Sequence, residues 1–302
     1  MKTIKNFTLL LFLSLSVITT AQNKEVLIKP TKITDQVYML EGQGGNIGLF
    51  IGEDGTFMID DQFAKLTPKI LAAIKKITDK PVNYLINTHW HGDHTGGNEN
   101  MSKEGAVIVS HKNVRKRMGA TSVVRGKTRP ASPKAALPII TFTEDLMIHF
   151  NNDDVLISHV HNAHTDGDTH IYFTKNNVIH MGDTYFNGKF PYIDLNSGGS
   201  IDGDIASAEK ALLIADDETI IIPGHGKLSN KKELLAYKEM LVLLKNRIQE
   251  KITAGKTLED IKKDNSITKE YDDKKYGEGW FITSERMRET IYRSITKKNK
   301  KF

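Results

Sequence analysis

The stretch N87-T-H-W-H-G-D-H-T-G-G-N98 places three histidines and an aspartate in the six positions from His89 to His94. It follows V82-N-Y-L-I-N-T88, an apolar run that reads as a strand stopped before it by Pro81, so the cluster falls in the loop at a strand's C-terminal end. In α/β proteins that is where ligands bind. In an extended segment residues two apart point the same way, so His89 and His91 are expected to grip one ion together. Gly92 lets the chain turn and frees Asp93 and His94 to face a second position. A purely structural role is the poorest explanation, because three imidazoles and a carboxylate crowded together would repel or strain without a cation.

Working outward, three later stretches can complete such a pair of sites: H161-N-A-H-T-D-G-D168 offers His164, H180-M-G-D-T-Y-F186 offers Asp183, and I220-I-I-P-G-H-G-K227 offers His225. Each lies at the end of an expected strand. His164 would give the first ion a third imidazole, Asp93, His94 and His225 would hold the second, and the Asp183 carboxylate would reach both. The remaining histidines, His111, His149, His159, His161, His170 and His180, read as surface or strand residues, with His161 the rival to His164.

H-x-H-x-D-H followed by G-G, then H-T-D-G-D, G-D and P-G-H-G, in this order over about residues 33 to 230, resembles the metallo-β-lactamase superfamily of hydrolases. The H-T-D-G-D block favours His164 over His161. The resemblance implies an α/β fold, a four-layer αβ/βα sandwich of two mixed sheets with outer helices. It also implies two Zn2+ per chain, one on His89, His91 and His164, the other on Asp93, His94 and His225, with Asp183 in the bridging position. Asp93 is then also the catalytic candidate, orienting a water whose pKa the paired ions bring toward neutrality.

The rest of the chain bounds the function. Lys2 and Lys5, the apolar run 7–18 and the small residues 19–21 have the layout of a secretory signal peptide over residues 1–21. The apolar run is short for a bilayer span, so no membrane anchor is expected after cleavage and the location is expected to be periplasmic or secreted. Removal of that segment takes the formal charge from +5 to about +3. This suits an anionic small molecule and argues against nucleic acid. No obligatory protein partner is expected. With no cysteine, the fold must rest on an ordinary core and any metal site on His and carboxylates.

Short strands are expected at 36–40, 46–51, 56–59, 82–88, 106–110, 139–142, 146–150, 154–161, 168–174, 177–181 and 219–222. Helices are expected after Thr67 as N-cap, at 112–118, from Asp204 to Ile214 and over 230–250, where Asn230 and Glu233 fit a capping box. Residues 119–138, with three prolines, read as a long surface loop. The hydrolase domain spans 22–251, and 252–302 is a helical C-terminal extension packed on it.

The expected activity is cleavage of an amide or ester carbonyl in a β-lactam-like or lactone-like molecule. Export disfavours cytosolic thioesters, a complete second site disfavours mononuclear iron chemistry, and the absence of a nucleic-acid insertion disfavours nucleases. β-Lactamases that use cysteine would need it at position 183, whereas a bridging Asp183 is more typical of lactonase and glyoxalase-like members. A thioesterase or phosphodiesterase is the alternative within the fold, and a zinc-binding protein without turnover the alternative outside it. Asn187, Lys189 and Ser200 are candidates to bind a substrate carboxylate.

Overall fold

The computed structural model describes residues 25–124 and 126–297, so the expected signal peptide and nearly all of the Lys-rich C-terminus lie outside the described residues. The first sheet contains Lys29–Lys32 (β1), Val37–Glu41 (β2), Ile47–Gly52 (β3), Gly55–Ile59 (β4), Val82–Asn87 (β5) and Val107–His111 (β6). A separate hairpin, Ser122–Val124 (β7) and Lys127–Arg129 (β8), precedes the last strand of this sheet, Ile140–Phe142 (β9). The second sheet is Asp145–Phe150 (β10), Asp153–His159 (β11), Thr169–Phe173 (β12), Val178–Phe186 (β13), Ile220–His225 (β14) and Ser229–Asn230 (β15). Both are mixed: β1 to β4 and β10 to β13 pair antiparallel, while β4, β5, β6 and β9 run parallel, as do β13 and β14.

Side-chain alternation sorts each strand into two faces. Val37, Met39, Phe50, Phe57 and Ile59 meet Val155, Ile157, Ile171, Phe173 and Ile222 of the opposite sheet in one dry core. Phe50 and Phe173 stand 4.9 Å apart between ring centroids across that interface. Their strand neighbours Leu40, Leu49, Met58 and Leu85 face the other way, onto Ile70 and Ile74 of helix Thr67–Lys75 (α1) and Met101 of Asn98–Lys103 (α3), which follows the single turn Gly92–Thr95 (α2). Lys112–Met118 (α4) leads from β6 toward the hairpin.

The outer face of the second sheet, with Ile179, Met181, Tyr185 and Ile221, packs on Ile201–Ile214 (α5) and Lys231–Thr253 (α6). The same cluster takes in Ile261 of Leu258–Lys263 (α7), Tyr271 of Lys269–Asp273 (α8), and Met287 and Ile291 of Ser284–Thr296 (α9). Helix, sheet, sheet and helix form the four layers. No helix among the described residues is long and apolar enough to cross a membrane.

The structure departs from the sequence expectations in particulars. Thr67 is the first helical residue of α1 rather than its cap, because a 3-10 turn at Ala64–Leu66 leads into it. The expected loop at 119–138 contains the β7–β8 hairpin and a 3-10 turn at Lys134–Ala136. Helix α5 starts at Ile201 because the Ser200 hydroxyl accepts from Gly203 N. Asn230 caps α6 through Glu233 N, but the Glu233 carboxylate accepts from Ser229 Oγ instead of closing a capping box. The segment after β5 bends at once and turns helical at Gly92 rather than running extended.

Candidate metal centre

Five imidazoles and two carboxylates from four separate segments converge where the C-terminal ends of β5, β13 and β14 meet the loop after β11. Ligand-type atoms form two groups, His89, His91, His164 and Asp183 in one, Asp93, His94 and His225 in the other. Asp183 divides itself between them. Its Oδ2 lies 3.8 Å from His89 Nε2 and 3.7 Å from His164 Nε2. Its Oδ1 lies 3.0 Å from His94 Nε2 and 3.5 Å from His225 Nε2. Asp93 Oδ2 stands 3.3 Å from His225 Nε2.

Two close approaches of backbone make this possible. Gly182 has φ +54°, and a Cβ there would come 2.7 Å from Thr88 Cβ. That fit lets β13 bring Asp183 against the loop after β5. A Cβ at Gly45 would come 2.0 Å from the His94 ring, so the β2–β3 turn can press on that imidazole only as glycine.

The second nitrogen of four of these rings is anchored, which fixes which nitrogen faces the centre. His94 Nδ1 donates to Asp60 Oδ2 at 2.7 Å, and His91 Nε2 donates to Asp194 Oδ2 at 3.1 Å. His164 Nδ1 donates to the Tyr192 carbonyl. His89 Nδ1 donates to Thr88 Oγ1 at 3.0 Å, and that hydroxyl donates onward to Asp60 Oδ2 at 2.7 Å. The fully buried Asp60, with φ +58°, therefore orients two imidazoles at once. Asp194 is itself held by Ser197 N, Ser197 Oγ and Asn196 N.

With those protons spent outward, lone pairs point inward. His164 Nε2 and His91 Nδ1, each opposite a ring nitrogen already anchored outward, face one another at 2.9 Å. His89 Nε2, His94 Nε2 and Asp183 Oδ1 are buried without a hydrogen-bond partner among the described residues. Acceptors gathered like this call for a cation, and nitrogen and carboxylate donors without thiolate suit zinc. The residues fit the group the sequence implies.

Electrostatics divide the rings. Burial alone would lower His94 and His225, but Asp183, Asp60 and Asp93 overcome it and hold His94 well above the usual imidazole range. Asp183 and Asp93 likewise raise His225 to about 9. Burial pushes His89 well below the usual imidazole range, reinforced by His94, and His164 down to about 4, reinforced by His91. Burial alone would raise Asp93, but His94 and His225 overcome it and bring its carboxyl down to about 2. The open side of the centre is the side of Asp93, His225 and His91, whose side chains keep 31%, 21% and 16% of their exposure.

Aromatic rings wall that opening. Phe186 stacks on His225 at 5.4 Å between centroids, and Tyr192 on His91 at 5.7 Å. Trp280, from the segment between α8 and α9, lies 5.8 Å from both Phe186 and His225 and 4.6 Å from Phe281. The C-terminal extension thus reaches the centre itself.

All seven candidate ligands sit in the two groups. His161 does not; it is exposed and faces Glu144 at 3.4 Å. The three candidate substrate contacts have intramolecular partners instead. Ser200 caps α5, Asn187 Nδ2 donates to Glu233 Oε2 at 3.2 Å, and Lys189 Nζ donates to the Glu278 carbonyl at 3.0 Å. The sequence reading missed Asp60, Asp194, Tyr192 and Trp280. A signal existed only for Asp60, at the end of β4 in I59-D-D-Q62, and nothing there separates it from Asp61.

The family described as the metallo-beta-lactamase superfamily matches residues 40–225. A hydroxyacylglutathione hydrolase from Polaromonas sp. (strain JS666 / ATCC BAA-500) is 24% identical over 161 residues, covering 52% of this chain and 54% of that one. The chain spans about half the length of the curated relatives it matches. A metallo-beta-lactamase from Pontibacter korlensis superposes with a TM-score of 0.61 at 16% identity, over 71% of this chain and 98% of that one. The sec-alkylsulfatase Pisa1 from Pseudomonas sp. gives 0.68 at 15% identity, over 88% and 50%. At these identities the structural likenesses speak to the fold.

Proposed function

The chain belongs to the metallo-beta-lactamase superfamily, and from that premise we propose that it is an exported, metal-dependent hydrolase that cleaves the carbonyl bond of a small molecule. The observation that carries this reading is the division of Asp183 between two groups of inward-facing donors. His89, His91 and His164 would hold one zinc, Asp93, His94 and His225 the other, with Asp183 between them. Such a pair supplies Lewis acidity to a substrate oxygen and acidifies the attacking water, which is hydrolytic rather than redox chemistry.

The chain's own residues do the rest. Asp93, anionic and on the open side, orients the attacking water and receives its proton. Asp60 and Asp194 keep the imidazoles in one tautomer and one orientation. Phe186, Tyr192 and Trp280 provide an apolar wall for the acyl portion and narrow the access of bulk water.

Cyclic amides and esters are the first substrate class. A thioester is the second reading, favoured by the name of the Polaromonas relative, that of a hydrolase of a glutathione thioester. A panel of β-lactam, lactone, thioester and phosphodiester substrates with and without chelator tests the proposal. Chelator-sensitive turnover of a carbonyl substrate is expected; turnover of the phosphodiester alone, or of none, overturns it. Export would place the mature N-terminus just after Ala21 in a periplasmic or secreted fraction, which N-terminal sequencing reads; an intact Met1 in that fraction contradicts it.

A further inference from the structure

Beside Trp90, between α4 and the β7–β8 hairpin, lies a cavity of about 290 Å3. Trp90 and Ser122 both line it, and both carry an orphaned polar atom. Trp90 Nε1 and Ser122 Oγ are buried with no hydrogen-bond partner among the described residues, and Trp90 is only 6% exposed. Two unsatisfied groups at one cavity are costly unless something polar meets them.

A cation stands beside them. Ser122 and Arg129 are directly paired across the hairpin, so their side chains leave the same face of the ribbon. The Arg129 guanidinium lies over the Trp90 ring, 5.4 Å from its centroid. Its Nη2 is 4.0 Å from where a Cβ would stand on Gly92, inside the histidine loop. No carboxylate among the described residues pairs with it. The cavity's own acid, Asp166, is already engaged by both arms of Arg117, at 2.6 and 2.7 Å. The exposed Lys116 adds further positive charge at the rim.

We propose that Arg129, Trp90 Nε1 and Ser122 Oγ form a binding site for a carboxylate of the substrate, one residue along the chain from the metal-facing His91. A guanidinium offers a planar fork that a carboxylate matches, and the indole N–H and the hydroxyl supply two further donors. Burial lowers the Arg129 pKa while leaving it a cation, so an anion here meets a partly desolvated charge. The site explains how a centre whose own donors are all engaged with metal would select an anionic substrate. It rests on the acyl-hydrolase reading for its role, while the anion site itself is testable without turnover.

The experiment compares wild type, Arg129→Gln and Arg129→Lys on two substrates of the class the zinc-loaded enzyme hydrolyses, identical except that one carries a free carboxylate and the other its carboxamide. The readout is the ratio of kcat/KM values. Loss of one charge-assisted pair should lower the preference for the carboxylate roughly tenfold or more in Arg129→Gln, with Arg129→Lys intermediate. An unchanged ratio overturns the proposal. In parallel, benzoate, which has no scissile bond, is titrated into the zinc-loaded proteins and followed by tryptophan fluorescence. A saturable response in wild type that is lost in Arg129→Gln is expected. No response in wild type, or an equal one in the variant, overturns the site. If neither substrate is hydrolysed but benzoate binding still depends on Arg129, the acyl-hydrolase reading falls and the anion site stands.

Discussion

Among the described residues histidine gathers densely around Asp183 and again around His159, and of these two gatherings the first alone is built like a metal centre. His111 and His159 stack 3.8 Å apart at an interplanar angle of 5°, with His161 4.5 Å beyond. That is as dense as the cluster around His89. The difference lies in the nitrogens. His111 Nε2 donates to the Thr143 carbonyl while its Nδ1 accepts from Asn113 N, and His159 Nδ1 donates to the Asp168 carbonyl. Two parallel rings cannot aim lone pairs at one point, and among the described residues neither joins a group of metal-type donors. Around Asp183 every outward nitrogen that is anchored leaves its partner aimed at a common space. What distinguishes a site from a stack is where the second nitrogen goes.

The largest effect should separate these clusters directly. Asp183→Ala should leave at most one tightly held ion and reduce hydrolysis by about two orders of magnitude or more, whereas His111→Gln should keep the full metal content. Equal metal loss in both variants would dissolve the contrast. Next in size is the orientation of the ligands. Asp60→Asn removes the charge that holds His94 and, through Thr88, His89, and should weaken zinc binding by about 10- to 100-fold in competition with a chromophoric chelator. Unaltered affinity would mean that tautomer control is dispensable here.

A smaller effect concerns Ser200, a residue that serves the fold although its position beside the site suggested otherwise. Ser200→Ala should cost about 1 kcal/mol in chemical denaturation through the lost cap of α5, with KM unmoved. A raised KM at unchanged stability would restore it as a substrate contact.

The smallest is a pH effect confined to the stacked pair. Burial, with the neighbouring His159, holds His111 down to about 4, and burial also lowers His159. A histidine lowered in the folded state contributes fully above the unfolded value of about 6.5, and the contribution is lost as pH falls from there through the folded value. Melting temperature should therefore drop further between pH 7 and pH 4.5 in wild type than in His111→Gln; parallel drops would show that the stack does not titrate as described.

Much of this was legible in the sequence because two periodicities are strong. The apolar runs in V37-Y-M-L-E41 and G55-T-F-M-I59, whose successive side chains point alternately into the two cores, mark strands buried on both sides, and Leu234, Leu241, Leu244 and Ile248 mark α6 at helical spacing. The missed strands lack that signal. Lys29–Lys32 is a polar edge strand containing proline, and Ser122–Val124 with Lys127–Arg129 is a short hairpin in a cationic stretch. The seven donors stood out because His and Asp were crowded at strand ends. The groups that orient them did not, since Asp60 and Asp61 are indistinguishable until the backbone at Asp60 adopts a positive φ that turns its side chain to Thr88 and His94. Arg129 lies within residues 119–138, expected only as a surface loop; folding is what lays it on Trp90.

The most direct test of the whole account is the metal stoichiometry of the purified mature protein, by elemental analysis against protein concentration after removal of loosely held ions. Two zinc ions per chain are predicted, falling when His164 or His225 is replaced by alanine. A protein that retains one ion or none, with both alanine variants indistinguishable from wild type, would contradict it.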